Sequence, residues 1–265
     1  VIFVDTHCHL NFQSFGGDIS QVIDRALDAG VVRIVVPGLD VRSSEEAVNI
    51  ASRFESVYAA VGVHPNEVKS FEKGHLSVLE KLLSENKVVA IGEVGLDYYH
   101  HPETKNEQLS VLEIMINLSK NNSKPIILHS RNSIVDLLSI IQQSFGSIRA
   151  VETFFYGVFH AFEGNLEQAK LLKNLGFALG IGGPITYKNS LVKKEILTNI
   201  GLENIVLETD APFLSPHPFR GLRNEPFRIP IIADKISNLL NISVEAVAQF
   251  TTRNAISLFH WGSIN

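Results

Sequence analysis

The stretch 88–131, VVAIGEVGLDYYHHPETKNEQLSVLEIMINLSKNNSKPIILHSR, contains one full repeat of the fold. Its opening run VVAIG is continuously apolar, as expected of a strand covered on both faces. A helical pattern follows from about Glu107 to Lys120, and PIILH returns to strand. Two buried strands joined through a helix form a βαβ unit, which pairs its strands in parallel.

The same alternation extends outward in both directions. Upstream, VIFVD, VVRIVVPG and VYAAVGVHP read as strands, with helices expected at Ile19–Ala29, Ser43–Arg53 and Leu76–Leu83. Downstream come a helix from Ile134 to Gln143, the strand FFYGVFH, a helix from Leu166 to Leu175 and the strand FALGIGG. A lysine-rich helix near Leu191–Thr198 then leads to the strand NIVLETDAP, and helices near Ile231–Leu240 and within NISVEAVAQFTTRNAISLF finish the pattern. Eight such units average about 33 residues over the 265 of the chain. Linkers are short and composition does not shift along the chain, so one domain spanning 1–265 is expected. A (β/α)8 TIM barrel is preferred to an open doubly wound sheet. No glycine-rich phosphate loop follows the first strand, and GIGG at 180–183 lacks the dinucleotide spacing and reads as a turn.

Composition narrows the function. At 45% hydrophobic and 19% charged residues the chain is neither disordered nor fibrous. The formal charge of 23 − 28 = −5 argues against coating nucleic acid through a whole basic face. It leaves room for a nuclease whose site supplies cations as metal ions. A single cysteine, Cys8, excludes an intramolecular disulfide framework and a cysteine-cluster metal site. It reads as a small buried hydrophobe. The opening VIFVDTHCHLNF lacks the basic and long apolar regions of a secretory leader, and no run reaches 18 uncharged apolar residues. The expected setting is therefore cytoplasmic, or nuclear in a eukaryote, with no membrane partner and no organic cofactor.

Ten histidines are the unusual count. His7 and His9 fall in D-T-H-C-H at the end of the first strand, and residues two apart on a strand point the same way. One H-x-H is ordinary by chance; one with an aspartate two residues before it is far rarer. His64 follows the third strand, Glu93 lies at the fourth, His129 ends the fifth, His160 the sixth and Asp210 the eighth. Taken singly, each histidine reads as a core residue. Together they change that reading, because a barrel brings all its strand C-termini to one face. Four histidines and two carboxylates exceed the needs of one tetrahedral ion with an open position and suit two divalent ions sharing a carboxylate. Such a pair can hydrolyse a phosphate ester, an amide or a lactone.

Arginines point toward phosphate. Arg131 lies two residues beyond His129, and HPFRGLRNEPFR at 217–228 holds three arginines and one glutamate. Phe213, Phe219 and Phe227 nearby could stack on a base or pack in the core, and Tyr98 and Tyr99 could wall the pocket. His64 is placed to contact a substrate phosphate or to orient a ligand.

DTHCHL at 5–10, GVHP at 62–65, IGEVGLDYY at 91–99, ILHSR at 127–131, FHAFEG at 159–164, ETDAPFL at 208–214 and RGLRNEP at 220–226 resemble the TatD family of metal-dependent deoxyribonucleases, in the amidohydrolase-like barrel superfamily. The resemblance implies a first ion held by His7, His9, Glu93 and Asp210, and a second ion bridged by Glu93 and completed by His129 and His160. It implies Mg or Zn as the two ions, with Mn or Ni as alternatives, and 3′-to-5′ exonuclease activity on DNA ends or short single strands by a metal-activated water. Glu208 would stand behind the ligands or at the rim, His64, Arg131 and Arg223 would contact substrate phosphate, and Glu93 and Asp210 would be catalytic. HAFEG replaces the family's usual HCFSG, which puts Glu163 on the sixth-strand loop, and 144–158 looks locally unusual. The expected particle is a monomer. The alternatives are a hydrolase of a small phosphoester, amide or lactone, and a non-catalytic, metal-stabilised binding protein.

Overall fold

A computed structural model describes residues 1–146 and 155–262. Among them eight strands pair in chain order, every ladder parallel: β1 (Phe3–Asp5), β2 (Val31–Pro37), β3 (Val57–Val61), β4 (Val88–Asp97), β5 (Ile126–Arg131), β6 (Gly157–Phe159), β7 (Phe177–Ile181) and β8 (Ile205–Leu207). Thr6 closes the circle, its backbone N–H and its hydroxyl each donating to the Leu207 carbonyl at 3.0 Å. This is the expected (β/α)8 barrel. The helices are α1 (Ile19–Asp28), α2 (Val41–Arg53), α3 (Lys73–Leu82), α4 (Lys105–Asn121), α5 (Ile134–Phe145), α6 (Leu166–Asn174), α7 (Leu191–Ile200), α8 (Ile229–Leu240) and α9 (Val244–Leu258).

Two elements differ from the expected ones, and the first has a clear cause. Helix α2 begins two residues early because Asp40, not a serine, caps it. The Asp40 carboxylate accepts from Ser43 N–H at 2.7 Å while Ser43 Oγ accepts from Asp40 N–H at 2.9 Å, a reciprocal capping box. Strand β6 is shorter than FFYGVFH, and the first phenylalanine of that run, with the rest of 147–154, lies outside the described residues.

The barrel has an inner core distinct from the layer between strands and helices. Val4, Val35, Ala60, Ala90, Ile127, Val158, Ala178 and Val206, one from each strand, pack together with Ala255, Leu258 and Phe259 at the end of α9. Helix α9 thus plugs the N-terminal end of the barrel. Asn254 Nδ2 donates to the Leu202 and Ile205 carbonyls at the start of β8, and Thr252 Oγ1 donates to Ile2 O beside β1. With that end sealed by apolar packing, the opposite end is left for polar side chains. No described helix is long and apolar enough to cross a membrane.

Candidate metal centre

The strand alternation that points Ile127 into the barrel also brings His129 inward, and β6 does the same with Val158 and His160. Glu93 sits where the β4–β5 register shifts, between Ile91 and Val94, with its N–H donating to Gly38 O at 2.8 Å. Gly95 makes the next step possible: its φ is +146°, and a Cβ there would meet the His129 carbonyl at 2.0 Å. Past β8 the chain turns through Asp210 in the left-handed region, φ +55°, which aspartate tolerates better than most residues. The turn lets Asp210 N–H donate to His7 O at 2.9 Å, so the ends of β1 and β8 face each other across the site.

These elements converge on Glu93, whose two oxygens face different ligand sets. Oε2 lies 3.2 Å from His7 Nε2 and 3.6 Å from His9 Nε2. Asp210 Oδ1 is 3.7 Å from His7 Nε2 and 3.4 Å from His9 Nε2, and the two imidazole nitrogens are 3.2 Å apart. Donor atoms bound tetrahedrally at 2.0–2.2 Å from one ion lie roughly 3.4 Å from one another. His7, His9 and Glu93 thus bring three donor atoms together as one cation requires, and Asp210 Oδ1 lies within 3.7 Å of both imidazole nitrogens. On the other side, Glu93 Oε1 faces His129 Nδ1 at 2.8 Å, His160 Nε2 at 3.2 Å and His64 Nε2 at 3.5 Å.

Tautomers separate these three histidines. His64 Nδ1 accepts from Asn66 N–H at 3.1 Å, so the neutral ring carries its proton on Nε2 and presents a donor to the site. Burial pushes the His64 pKa down to about 4, which keeps the ring neutral. His129 is arranged the other way round: its Nε2 faces Asp97 Oδ2 at 3.2 Å, which leaves the Nδ1 lone pair for a cation. His160 turns Nδ1 toward Glu208 Oε1 at 3.6 Å and leaves Nε2 free. Each of these two rings has a carboxylate behind it; Asp97, within hydrogen-bond distance, fixes the tautomer of His129 and strengthens it as a ligand, while Glu208 stands just beyond that distance from His160.

Charge makes the same case. Glu93, Asp97, Glu208 and Asp210 are all buried, and none lies within ion-pair distance of a lysine or arginine among the described residues. Among the described residues Glu208 Oε2 has no hydrogen-bond partner. Burial would raise the Glu93 carboxyl, but His160, His64 and His7 around it hold it well below the ordinary carboxylate range. Burial likewise opposes a charge on His160, yet Glu93 and Glu208 raise its pKa well above the usual imidazole value. The carboxylates thus draw a proton onto His160, and a divalent ion would displace that proton and neutralise more charge. The residues fit two cations sharing Glu93.

Asp97 and Thr209 are site residues that reading the sequence missed. Asp97 Oδ1 accepts from Tyr99 N–H at 3.0 Å and His100 N–H at 2.9 Å, which aims Oδ2 at His129. Its signal was the spacing on β4, since Asp97 lies four residues past Glu93 and shares its face. Thr209 explains Asp5, which does not reach the ligand sets. The Asp5 carboxylate accepts from Thr209 N–H at 2.9 Å and Thr209 Oγ1–H at 2.5 Å, tying β1 to β8, and burial pushes its pKa up to about 8. Glu208 owes its place to Gly180, where a Cβ would meet Glu208 Oε2 at 2.2 Å.

The remaining expected site residues lie outside the cluster. Arg131 stands at the rim, paired with Glu163 at 2.5 Å and 5.4 Å over the Tyr99 ring. Tyr98 does not face the cavity; it donates to Asp136 at 3.0 Å. Arg223 is committed elsewhere, with both guanidinium ends on Asp18 and one on Glu225, at 2.7–2.8 Å. Phe219 and Phe227 lie against Arg228, whereas Phe213 is half exposed with its ring 6.2 Å from that of His9. Cys8 is fully buried in the apolar layer.

The family model described as TatD related DNase matches residues 4–260. A metal-dependent hydrolase of Bacillus subtilis (strain 168), YabD, is 38% identical over 255 residues, covering 96% of this chain and 98% of its own. The crystal structure of YjjV, a TatD homolog from Escherichia coli K12, superposes with a TM-score of 0.91 at 31% identity and covers 98% of both chains. A TatD family hydrolase from Entamoeba histolytica shares the fold at 24% identity and a TM-score of 0.85, over 97% of this chain and 98% of its own.

Proposed function

The chain belongs to the TatD related DNase family and is a metal-dependent hydrolase; from that premise we propose that it is a deoxyribonuclease removing nucleotides from 3′ DNA ends. The observation that carries the reading is the Glu93 carboxylate, with one oxygen facing His7, His9 and the Asp210 side, and the other facing His129 and His160. His7, His9, Glu93 and Asp210 would hold one divalent ion, and Glu93, His129 and His160 the other. Imidazole-rich donors suit zinc better than magnesium, with manganese or nickel as further candidates. When bound, the ions lower the pKa of water and stabilise charge on a phosphoryl oxygen.

The protein's own groups complete the chemistry. Asp210, on the outer edge of the cluster and 9% exposed, accepts the proton of the attacking water. His64 Nε2–H donates to a non-bridging phosphate oxygen, a role its tautomer supports. Asp97 and Glu208 hold His129 and His160 in the orientation that ligation needs. Arg131 meets a neighbouring phosphate through the fork geometry that suits arginine to phosphate. With a net charge of −5, attraction of DNA is local to the site, as fits a monomer of one domain, working in the cytoplasm or nucleus on strand ends.

The test compares 5′-labelled single-stranded DNA, RNA and a lactone, with and without chelator. Chelator-sensitive shortening of DNA from the 3′ end is expected, and Asp210→Asn should abolish turnover while oligonucleotide affinity stays. Activity confined to the lactone would overturn the nuclease reading.

A further inference from the structure

Beside the metal centre the loop after β8 borders a cavity of about 430 Å³, lined by Tyr187, Phe213, Leu222, Arg220 and Arg223 among others. The wall is fixed to the centre itself. Phe213 N–H donates to the carbonyl of Asp210 at 2.8 Å, and Asn224 Nδ2 clamps the loop by donating to the Thr209 and Phe213 carbonyls at 2.9 and 2.8 Å. Its volume is in the range of sites that take small ligands.

The two arginines of the cavity differ. Arg223 is a strut: besides Asp18 and Glu225 it donates to Ser14 O at 2.7 Å, so both terminal nitrogens of its fork are committed. Arg220 has no carboxylate partner among the described residues. Its guanidinium lies 4.4 Å over the ring of Tyr187, which is held by donating to Ser215 O at 2.9 Å. Three apolar side chains on the same wall are exposed, Phe213 at 49%, Leu214 at 38% and Leu222 at 60%. Phe213 presents its ring next to Phe12, 5.7 Å away, on the side that leads to His9. An arginine with no carboxylate partner among the described residues, together with a half-exposed aromatic ring three residues from Asp210, matches a phosphate joined to a flat apolar ring.

We propose that this cavity is a nucleotide subsite in which Arg220 holds the phosphate, and Phe213 the base, of the nucleotide next to the scissile bond. The assignment rests on the DNA-hydrolase reading above. It moves the phosphate contact in RGLRNEP from Arg223 to Arg220.

Steady-state hydrolysis of (dT)6 by the metal-loaded enzyme tests it. Arg220→Gln should raise KM about tenfold with kcat within about twofold, and should reduce the dependence of log(kcat/KM) on log[salt] by about 0.7, the value for one phosphate contact on a single strand. Phe213→Ala should also raise KM about tenfold, in keeping with the loss of one stacked base. Arg53→Gln, the same charge change at the far end of α2, should alter neither. An unchanged KM and salt slope in Arg220→Gln overturns the subsite, as does a loss confined to kcat. Binding of a fluorescein-labelled phosphorothioate (dT)6, which resists cleavage, separates this subsite from the nuclease reading. Wild type that binds it more tightly than Arg220→Gln yet fails to cut (dT)6 overturns the nuclease reading and supports the subsite. Equal binding by the two proteins, or none by the wild type, overturns the subsite.

Discussion

Ile127 and His129 lie two residues apart on β5, Val158 and His160 on and just beyond β6, and Val206 and Glu208 on and just beyond β8. The first member of each pair belongs to the inner apolar core, and the second to the metal centre. The strand geometry is continuous, and most of the side chains are similarly hidden: Ile127 is 0% exposed, Glu208 1% and His160 7%. What differs is the source of stability. The lower layer gains from removing apolar surface from water, about 25 cal/mol per Å². The upper layer is costly, since it buries four carboxylates without lysine or arginine partners among the described residues and places imidazole nitrogens against one another. It becomes favourable only with cations. The barrel thus divides support and chemistry by height, one strand repeat apart.

The largest expected effect removes the atom pair shared by both halves of the centre. Glu93→Gln should lower turnover at least about 1,000-fold, roughly 4 kcal/mol of barrier, and elemental analysis should find fewer than two ions per chain. The converse experiment cuts the plug. Leu258→Ala, at a fully buried position of α9, should cost about 2–5 kcal/mol in denaturant unfolding, with kcat per folded molecule within about twofold. A large loss of kcat would mean that the lower layer positions the metal ligands as well as supporting them.

Asp97→Ala tests the layer just behind the ligands. It should weaken metal affinity about 10–100-fold, read by titration with a metal-sensitive dye. Asp97→Asn, which can still accept from His129 Nε2–H, should fall between the variant and wild type. Equal affinities for all three would assign Asp97 only to holding the backbone of Tyr99 and His100.

Much of this arrangement was legible because it follows periodicity. Buried parallel strands appear as apolar runs, and VVAIGEVGLD matches β4 residue for residue. Ligand candidates were readable because parallel strands all end at one face. What remained hidden depends on contacts distant in sequence. Nothing near Asp5 says that its partner is Thr209, 204 residues away. Nothing in RGLRNEP distinguishes Arg223, held by Asp18 on the approach to α1, from Arg220, which lies over Tyr187 with no carboxylate partner among the described residues. Helix α9 read as one more helix, and its position as a plug is fixed by Asn254 reaching the start of β8.

The smallest effect should come from a carboxylate that shares the chemistry of the centre but not its burial. Glu163 pairs with Arg131 at the rim, with side chains 50% and 41% exposed, and exposed pairs contribute less than about 1 kcal/mol. Glu163→Gln would leave the Arg131 fork free for substrate phosphate and remove a negative charge from the approach of a polyanion. KM for (dT)6 should fall about twofold at 50 mM salt, with kcat and melting temperature unchanged. At about 0.5 M salt, where screening reaches only a few ångströms, the difference should vanish. A change comparable to that from Glu93 would show that the rim is as desolvated as the centre when substrate is bound. An unchanged KM at low salt would remove Arg131 from the substrate path.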